Sequence, residues 1–451
     1  MIIRRLLVAN RGEIAVRVIR TCRRLGIAPI LAASAADLDS MAARLAQEVI
    51  CIGPARAADS YLNVDAVVGA AVAVRADALH PGYGFLSENP RLAMACEAAG
   101  VVFVGPTPAQ LTAVGDKLNA RGHAIAAGLP VVPGGAAAGL AQARAVAAEI
   151  GYPLLIKAVA GGGGRGMRPA RSAAELERSL PLAMAEAGAA FGDDRVYLEH
   201  FVTAGRHIEV QLLGDGASVI HLGTRDCSIQ RRYQKLLEEA PAPDLADELR
   251  AGMQDAAVAL GRHLGYRGLG TVEFLFDCER RRFYFLEMNA RIQVEHPVTE
   301  ALCGRDLVAD QIAVAEGRPL ELSQSQVRLS GCALECRINA EDWLEDFRPS
   351  PGRVTHARYA VGEGIRVDGH VQAQTLIAPF YDSLIAKLIV HGADRPAALA
   401  RMAAALARCD IGGVANTLSM HRAILGDAEF LRGGVTTGFF ERFMSEPKVP
   451  A

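Results

Sequence analysis

From Glu287 to Glu295 the chain alternates without a break: Glu287, Asn289, Arg291, Gln293 and Glu295 are polar, and Met288, Ala290, Ile292 and Val294 between them are apolar. Read as a strand, this period of two lays the apolar side chains on one face and two carboxylates, two amides and a guanidinium on the other. A core strand has no use for such a face, which has the composition of an active-site floor. The flanking runs Thr271–Phe276 and Phe283–Leu286 are rich in β-branched and aromatic residues, with Asp277–Arg282 between them as a turn. Glu273 and Glu287 are equally far from Arg280, so a symmetric hairpin sets them opposite each other, where like charges roughly 5 Å apart repel. A divalent cation shared with substrate phosphates removes that conflict, which is how Mg²⁺ is usually held. A solvated hairpin with two incidental glutamates is the plain alternative.

Other segments carry matching chemistry. Leu154–Lys157 reads as a strand ending in a lysine, and Gly161, Gly162, Gly163, Gly164 and Gly166 follow in a loop whose backbone N–H groups can turn toward phosphate oxygens. It is not a Walker A loop, because Gly-Lys-Ser/Thr is absent. Gly223–Lys235 holds Arg225, Arg231, Arg232 and Lys235 beside Asp226. It reads either as a solvated, salt-bridged loop or as an anion site with Lys235 or a neighbouring arginine on a carboxylate or phosphate. Arg206–Gln211 repeats the alternation, and His207 could donate to a phosphate. His80–Asn89, rich in glycine and proline, reads as a rigid loop at a strand's C-terminal end, where open α/β sheets bind ligands. Glu335–Asp342 alternates again and sets Arg337 on a polar face, where an ion pair is its ordinary use.

The elements that position these residues fall into three stretches. Residues 1–112 alternate strand-like runs with helical patterns and read as an open α/β layer without the G-x-G-x-x-G of a dinucleotide site. Residues 113–330 turn to glycine-rich turns and paired strands, and 331–451 read as a smaller α+β domain. No internal repeat is visible.

Composition sets the wider bounds. Lys plus Arg total 48 against 50 for Asp plus Glu, a formal charge of −2, which gives no electrostatic footprint for nucleic acid. No apolar run approaches a membrane span. The apolar stretch after Arg4-Arg5 ends at Asn10, too early for an export signal, so a cytoplasmic protein is expected. The nine cysteines are scattered; only Cys332 and Cys336 are close, without the second pair of a zinc site, and such usage fits a reducing compartment.

Taken in order, Asn10–Ala15, His80–Asn89, Gly115-Asp-Lys117, Lys157 with its glycine loop, Arg225–Ser228, Glu287–Pro297 and Glu335–Asp342 resemble the signatures of the biotin carboxylase family of the ATP-grasp superfamily, over essentially the whole chain. The resemblance implies a Rossmann-like N-terminal α/β domain, a central ATP-grasp domain with a glycine-rich lid at about 133–203, and a C-terminal α+β domain. It implies the first half-reaction of an acetyl-CoA or other acyl-CoA carboxylase: ATP, bicarbonate and biotin giving ADP, phosphate and carboxybiotin. Lys117, Lys157 and His207 would contact nucleotide phosphates under a lid formed by Gly161–Gly166, and Glu199 and Val202 would lie at the adenine. Glu273, Glu287 and Asn289 would hold Mg²⁺ or Mn²⁺. Lys235, Arg291 and Val294 would bind bicarbonate, Glu295 would deprotonate it, Arg337 would stabilise the biotin enolate, and Tyr83 would lie near the biotin ring. Gln230 and Gln293 would complete the nucleotide and bicarbonate contacts.

Tyr233 departs from the family's usual His, and His200 from a frequent Lys. No Met-Lys-Met of a biotin carrier occurs, so the biotin is expected on a separate carrier protein, with carboxyltransferase subunits as further partners and a homodimer as the assembly. Two other classes fit less well: another ATP-grasp ligase making an acyl-phosphate, against which Arg291, Glu295 and Glu335–Asp342 argue, and a nucleotide-binding scaffold without turnover.

Overall fold

Five short hydrophobic runs near the start of the chain pair in parallel, in the order Glu48–Cys51, Ala28–Ala33, Arg5–Val8, Ala78–His80 and Val102–Phe103. They belong to a computed structural model that describes residues 2–158, 168–191 and 194–445. Arg5–Val8 is central, with Leu7 beside Ile30 and Leu79, so its side chains are buried on both faces by flanking helices such as Gly12–Arg24. The C-terminal ends of the two middle strands therefore open onto one edge. Asn10 and the loop after His80 meet there, the Asn10 amide donating to the carbonyls of Pro81 and Tyr83 at 2.7 Å each. Gly82 has φ +63°, and a Cβ on it would lie 2.7 Å from Asn10 Nδ2, so only glycine lets the loop close on that amide.

The helix Lys117–Ala126 begins the central region, with the Asp116 carboxylate accepting from the N–H groups of Leu118 and Asn119. A lysine in the first turn opposes the helix dipole, so Lys117 is not there to stabilise the helix. Next comes a four-stranded sheet in the order Gly134–Ala137, Val196–His200, Leu154–Ala158 and Arg168–Ala170, backed by the helices Leu140–Ile150 and Ala173–Phe191. Its small core joins Ala143, Leu154, Ile156, Leu176, Leu180 and Leu198. The expected glycine loop, Gly161–Gly166, lies outside the described residues.

The floor of the molecule is an eight-stranded sheet, ordered Arg282–Asn289, Arg267–Asp277, Gly205–Asp215, Val219–Arg231, Gln234–Ala240, Cys332–Asn339, Leu384–Gly392 and Ile365–Gly369. The strands after residue 331 extend the central sheet, Glu238 pairing with Glu335 and Arg337 with Lys387. One continuous layer thus carries polar side chains from both regions. The mixed α/β architecture implied by the resemblance is the one observed.

Three local expectations need correction. The strand read through Glu295 ends at Asn289, and Glu295 precedes the helix His296–Cys303. The alternation continues because Ala290 and Ile292 pack into the core while the backbone between them has left the ladder. Glu273 does face Glu287, but the hairpin is not symmetric: Phe274 faces Phe285, so a bulge absorbs Leu286 and shifts the turn by one residue. Gly223–Lys235 is not a solvated loop. It is two strands joined by the two-residue turn Arg232-Tyr233, and Arg225 within it is fully buried.

Candidate active site

Four strands bring their polar faces together between the N-terminal edge and the eight-stranded sheet. Glu209 registers against Glu273 and Glu273 against Glu287, stacking three carboxylates across neighbouring strands. That arrangement needs cations. The Lys235 ammonium supplies one, donating to Glu209 at 2.6 Å, Glu295 at 2.8 Å and Glu273 at 2.9 Å, which uses all three of its N–H bonds. His207 Nε2 lies 2.7 Å from the other Glu273 oxygen, and His207, Glu209 and Glu273 present ligand atoms within 4.8 Å of one another. Arg225 supplies another cation. Its five N–H bonds go to Glu209, Gln211, Thr299, Thr271 and Gln293, so it props the floor from below and has no donor left for a substrate.

Glu295 is held on both sides, by Lys235 and by Arg337 Nη2 at 2.8 Å. Burial would raise its pKa; Lys235, Arg337 and Arg225 outweigh that and hold it well below the usual carboxylate range. Glu273 is likewise held well below that range by Lys235 and His207 against the effect of burial. Glu287 behaves oppositely: burial and the neighbouring Glu273 raise it, and among the described residues its carboxylate accepts no hydrogen bond. A hard, oxygen-seeking cation held by Glu287 and Glu273 would relieve that repulsion, so the donor set fits Mg²⁺ or Mn²⁺. Asn289, the third expected ligand, donates to Glu273 at 2.9 Å and accepts from Arg291 at 2.7 Å. Both ends of its amide are engaged within the protein.

Every sequence-predicted residue outside the glycine loop lines one cleft of about 1280 Å³. Lys157 and Glu199 face each other as an ion pair at the four-stranded sheet, next to Val202, and Lys117 reaches in from its helix. Gln230 sits opposite Lys235 across the hairpin, and Gln293 donates to Glu273 at 2.8 Å. Tyr83 lies at the other end, hydrogen-bonded to Glu13. Arg291 is tied at 2.8 Å to Glu88, in the His80–Asn89 loop, so the two segments read separately in the sequence meet here.

Sequence reasoning gave no role to Glu209, Glu88 or Glu238. Glu209 was detectable: it shares the alternating face of His207, and only its register against Glu273 was missing. Glu238, on Gln234–Ala240, accepts from Arg337 Nε at 2.6 Å. Burial, offset in part by Arg337, raises it to about 7.

Tyr233 stands at the cleft mouth, 66% exposed, with φ +68°. Two-residue turns with positive φ at both positions favour Asn and Gly, so the tyrosine is held there against backbone preference. Tyr233→His is expected to change the KM for ATP a few-fold and leave that for bicarbonate nearly unaltered, as steady-state kinetics would show.

Comparisons with known proteins agree with this geometry. Residues 2–111 match the model of the biotin carboxylase N-terminal domain, 116–323 that of the carbamoyl-phosphate synthase L chain ATP binding domain, and 335–442 that of the biotin carboxylase C-terminal domain. Biotin carboxylase of Nostoc sp. is 50% identical over 442 residues, 97% of this chain and 98% of its own. Biotin carboxylase 1 of Bacillus subtilis is 48% identical over 444 residues, 98% of this chain and 99% of its own. The biotin carboxylase domain dimer of Hydrogenobacter thermophilus 2-oxoglutarate carboxylase, solved with MgADP, ADP and bicarbonate, superposes with a TM-score of 0.90 at 43% identity, covering 99% of this chain and 100% of that one. Campylobacter jejuni biotin carboxylase in a β-γ-ATP complex gives 0.91 at 43% identity, covering 98% and 99%. On these matches, which run from the N-terminal sheet to the last helices, the chain belongs to the biotin carboxylase family, ATP-dependent ligases that carboxylate biotin.

Proposed function

We propose that this chain carboxylates biotin carried by a separate protein, using ATP and bicarbonate through carboxyphosphate, with both half-reactions organised around Glu295. The observation that carries the reading is the position of that carboxylate, 2.8 Å from Lys235 on one side and 2.8 Å from Arg337 on the other. Bicarbonate, a planar anion, suits the Arg291 fork, with the Val294 backbone N–H as a further contact and Lys235 reaching the anion by releasing one of its three carboxylates. Glu295 takes its proton, and the bicarbonate oxygen attacks the γ-phosphorus of ATP as ADP leaves. Lys117, Lys157 and His207 hold the phosphates; Glu199 and Val202 hold the adenine end; Gln230 and Gln293 complete the contacts. A divalent cation at Glu273 and Glu287, with Asn289 beside them, would neutralise phosphate charge. Phosphoryl transfer is mostly positioning and charge stabilisation, so these parts suffice.

In the second half-reaction carboxyphosphate delivers its carboxyl carbon to N1′ of biotin. The N1′ proton passes to the departing phosphate, and the charge that develops on the ureido oxygen meets Arg337, with Tyr83 against the ring. Exclusion of water from the cleft would protect carboxyphosphate, which water destroys.

A biotin carrier, carboxyltransferase subunits and a second copy of the chain complete the proposed assembly. Its support is the length of the relatives named biotin carboxylase, 98–99% of which the chain matches, and the dimer of the Hydrogenobacter domain. No helix among the described residues is long and apolar enough to cross a membrane, and all nine cysteines are free, which suits a reducing, cytoplasmic setting.

The test is ADP and carboxybiotin measured from the same tube. Arg337→Ala should keep part of the bicarbonate-dependent ATP cleavage and lower carboxybiotin by roughly 10²–10³-fold, the size of losing one preorganised charge stabiliser. A wild-type ratio of the two products would show that Arg337 has no part in the second step.

A further inference from the structure

Behind Glu295 lies a group of charged side chains that the proposed chemistry does not use. Lys387, on Leu384–Gly392, is 0% exposed, and its ammonium lies 3.1 Å from Glu13 and donates to the Val294 carbonyl at 2.7 Å. Glu13, 2% exposed in the first turn of Gly12–Arg24, accepts from the Tyr83 hydroxyl. On the neighbouring strands Asp368 is already paired with Arg366 at 2.5 Å, and Glu335 is buried with neither carboxylate oxygen hydrogen-bonded among the described residues. Arg337, registered against Lys387, points its fork at Glu238 and Glu295, and His296 packs at the start of the next helix. Burial pushes the Glu335 carboxyl well above the ordinary range against the pull of Lys387.

An ammonium buried this completely costs several kcal/mol of desolvation, and a well-packed apolar pair in place of a buried ion pair generally folds as well or better. The contact an apolar residue cannot make is the one to Val294. That carbonyl belongs to the peptide bond entering Glu295, in a segment with no sheet partner: the ladder stops at Asn289 and the helix starts at His296. The segment is held instead by side chains, Glu88 accepting from the Ala290 N–H at 3.0 Å at one end and Lys387 gripping Val294 at the other.

We propose that Lys387 is a positioning residue for the bicarbonate half-reaction: its ammonium fixes the Val294 carbonyl, and with it the peptide that carries Glu295, while Glu13 serves only to balance the buried charge. The inference rests on Glu295 being the base. Three elements from distant parts of the chain thus meet at one peptide bond, and its placement decides whether the base reaches bicarbonate.

The experiment compares variants that separate the buried charge pair from the carbonyl contact. Glu13→Gln keeps Lys387 and its bond to Val294, so bicarbonate-dependent ADP release should stay within a few-fold of wild type. Adding Lys387→Met in that background removes both buried charges and leaves the carbonyl unheld. ADP release should then fall about 10- to 100-fold, the cost of a displacement near 1 Å, with the KM for ATP changed little. The acid limb of the pH–rate profile should also move to higher pH, because a Glu295 freed from Lys235 and Arg337 loses the charges that hold its pKa down. Lys387→Gln in the same background restores an N–H donor and should recover part of the rate, and this comparison carries the test if the methionine variant does not fold. A wild-type rate and acid limb in the Met variant, an equal loss in Glu13→Gln alone, or no recovery with Gln overturns the proposal. Glu295→Gln run in parallel separates the two readings. If it cleaves ATP normally, the assignment of the base is wrong; if it is inactive while the Met variant is normal, only the role of Lys387 falls.

Discussion

Glu295→Gln is expected to lower bicarbonate-dependent ADP release by ~10²–10⁴-fold, the range for removing a general base, while nucleotide binding measured by titration stays within a few-fold. The amide keeps the size of the side chain and one acceptor oxygen, so the defect is the absent proton acceptor and not a collapsed cleft. Lys235 retains Glu209 and Glu273, and Arg337 retains Glu238, so the neighbours stay in place. The same substitution should change the pH dependence of stability in a defined direction. Because Glu295 is depressed in the folded protein, its contribution is complete above the unfolded carboxylate value of about 4.3 and disappears as pH falls through the folded value. Thermal unfolding should therefore show the variant less stable than wild type near neutrality, by roughly 1–3 kcal/mol, with the gap closing as pH falls below about 4. A gap that widens in acid would contradict the ion pairing of Glu295 with Lys235 and Arg337.

Glu287→Gln and Glu273→Gln should each raise the Mg²⁺ concentration needed for half-maximal rate by at least ~10-fold, since each removes a charged oxygen ligand of a cation that also holds phosphates. Their effects on the metal-free fold should have opposite signs. Among the described residues Glu287 has no ion-pair partner and lies, largely buried, beside another carboxylate, so neutralising it removes a repulsion and should raise the Tm in chelator by roughly 1–3 °C. Glu273 accepts from Lys235, His207, Asn289 and Gln293, so its loss should lower the Tm. The raised pKa of Glu287 adds a pH signature: protons compete with the cation from above the ordinary carboxylate range, so the apparent Mg²⁺ requirement should climb as pH falls and lose part of that climb in Glu287→Gln. Equal Tm changes with unaltered Mg²⁺ dependence would reduce the two glutamates to a structural pair.

What the sequence determined by itself is local. Period-two alternation and a short polar turn were enough to place Glu273 opposite Glu287, because strand geometry sets which face a side chain takes and turn length sets the register within a residue or two. The bulge at Leu286 was invisible, since its extra residue is accommodated by packing that no alternation encodes. Polar residues at alternating positions were also read as a strand too far: Ala290 and Ile292 are buried by the core whether or not their backbone is paired, so the pattern alone could not reveal that the ladder stops at Asn289. Apart from the grouping that the family resemblance implied, the tertiary structure decided which polar faces meet. Lys235 joins carboxylates 26, 38 and 60 residues away, and Lys387 reaches Val294 across 93. Contacts of that span leave no signature in local propensity. They form because the burial of whole sheets fixes the strands in one order, and the charged groups so enclosed are stable only where that order supplies each with its partner.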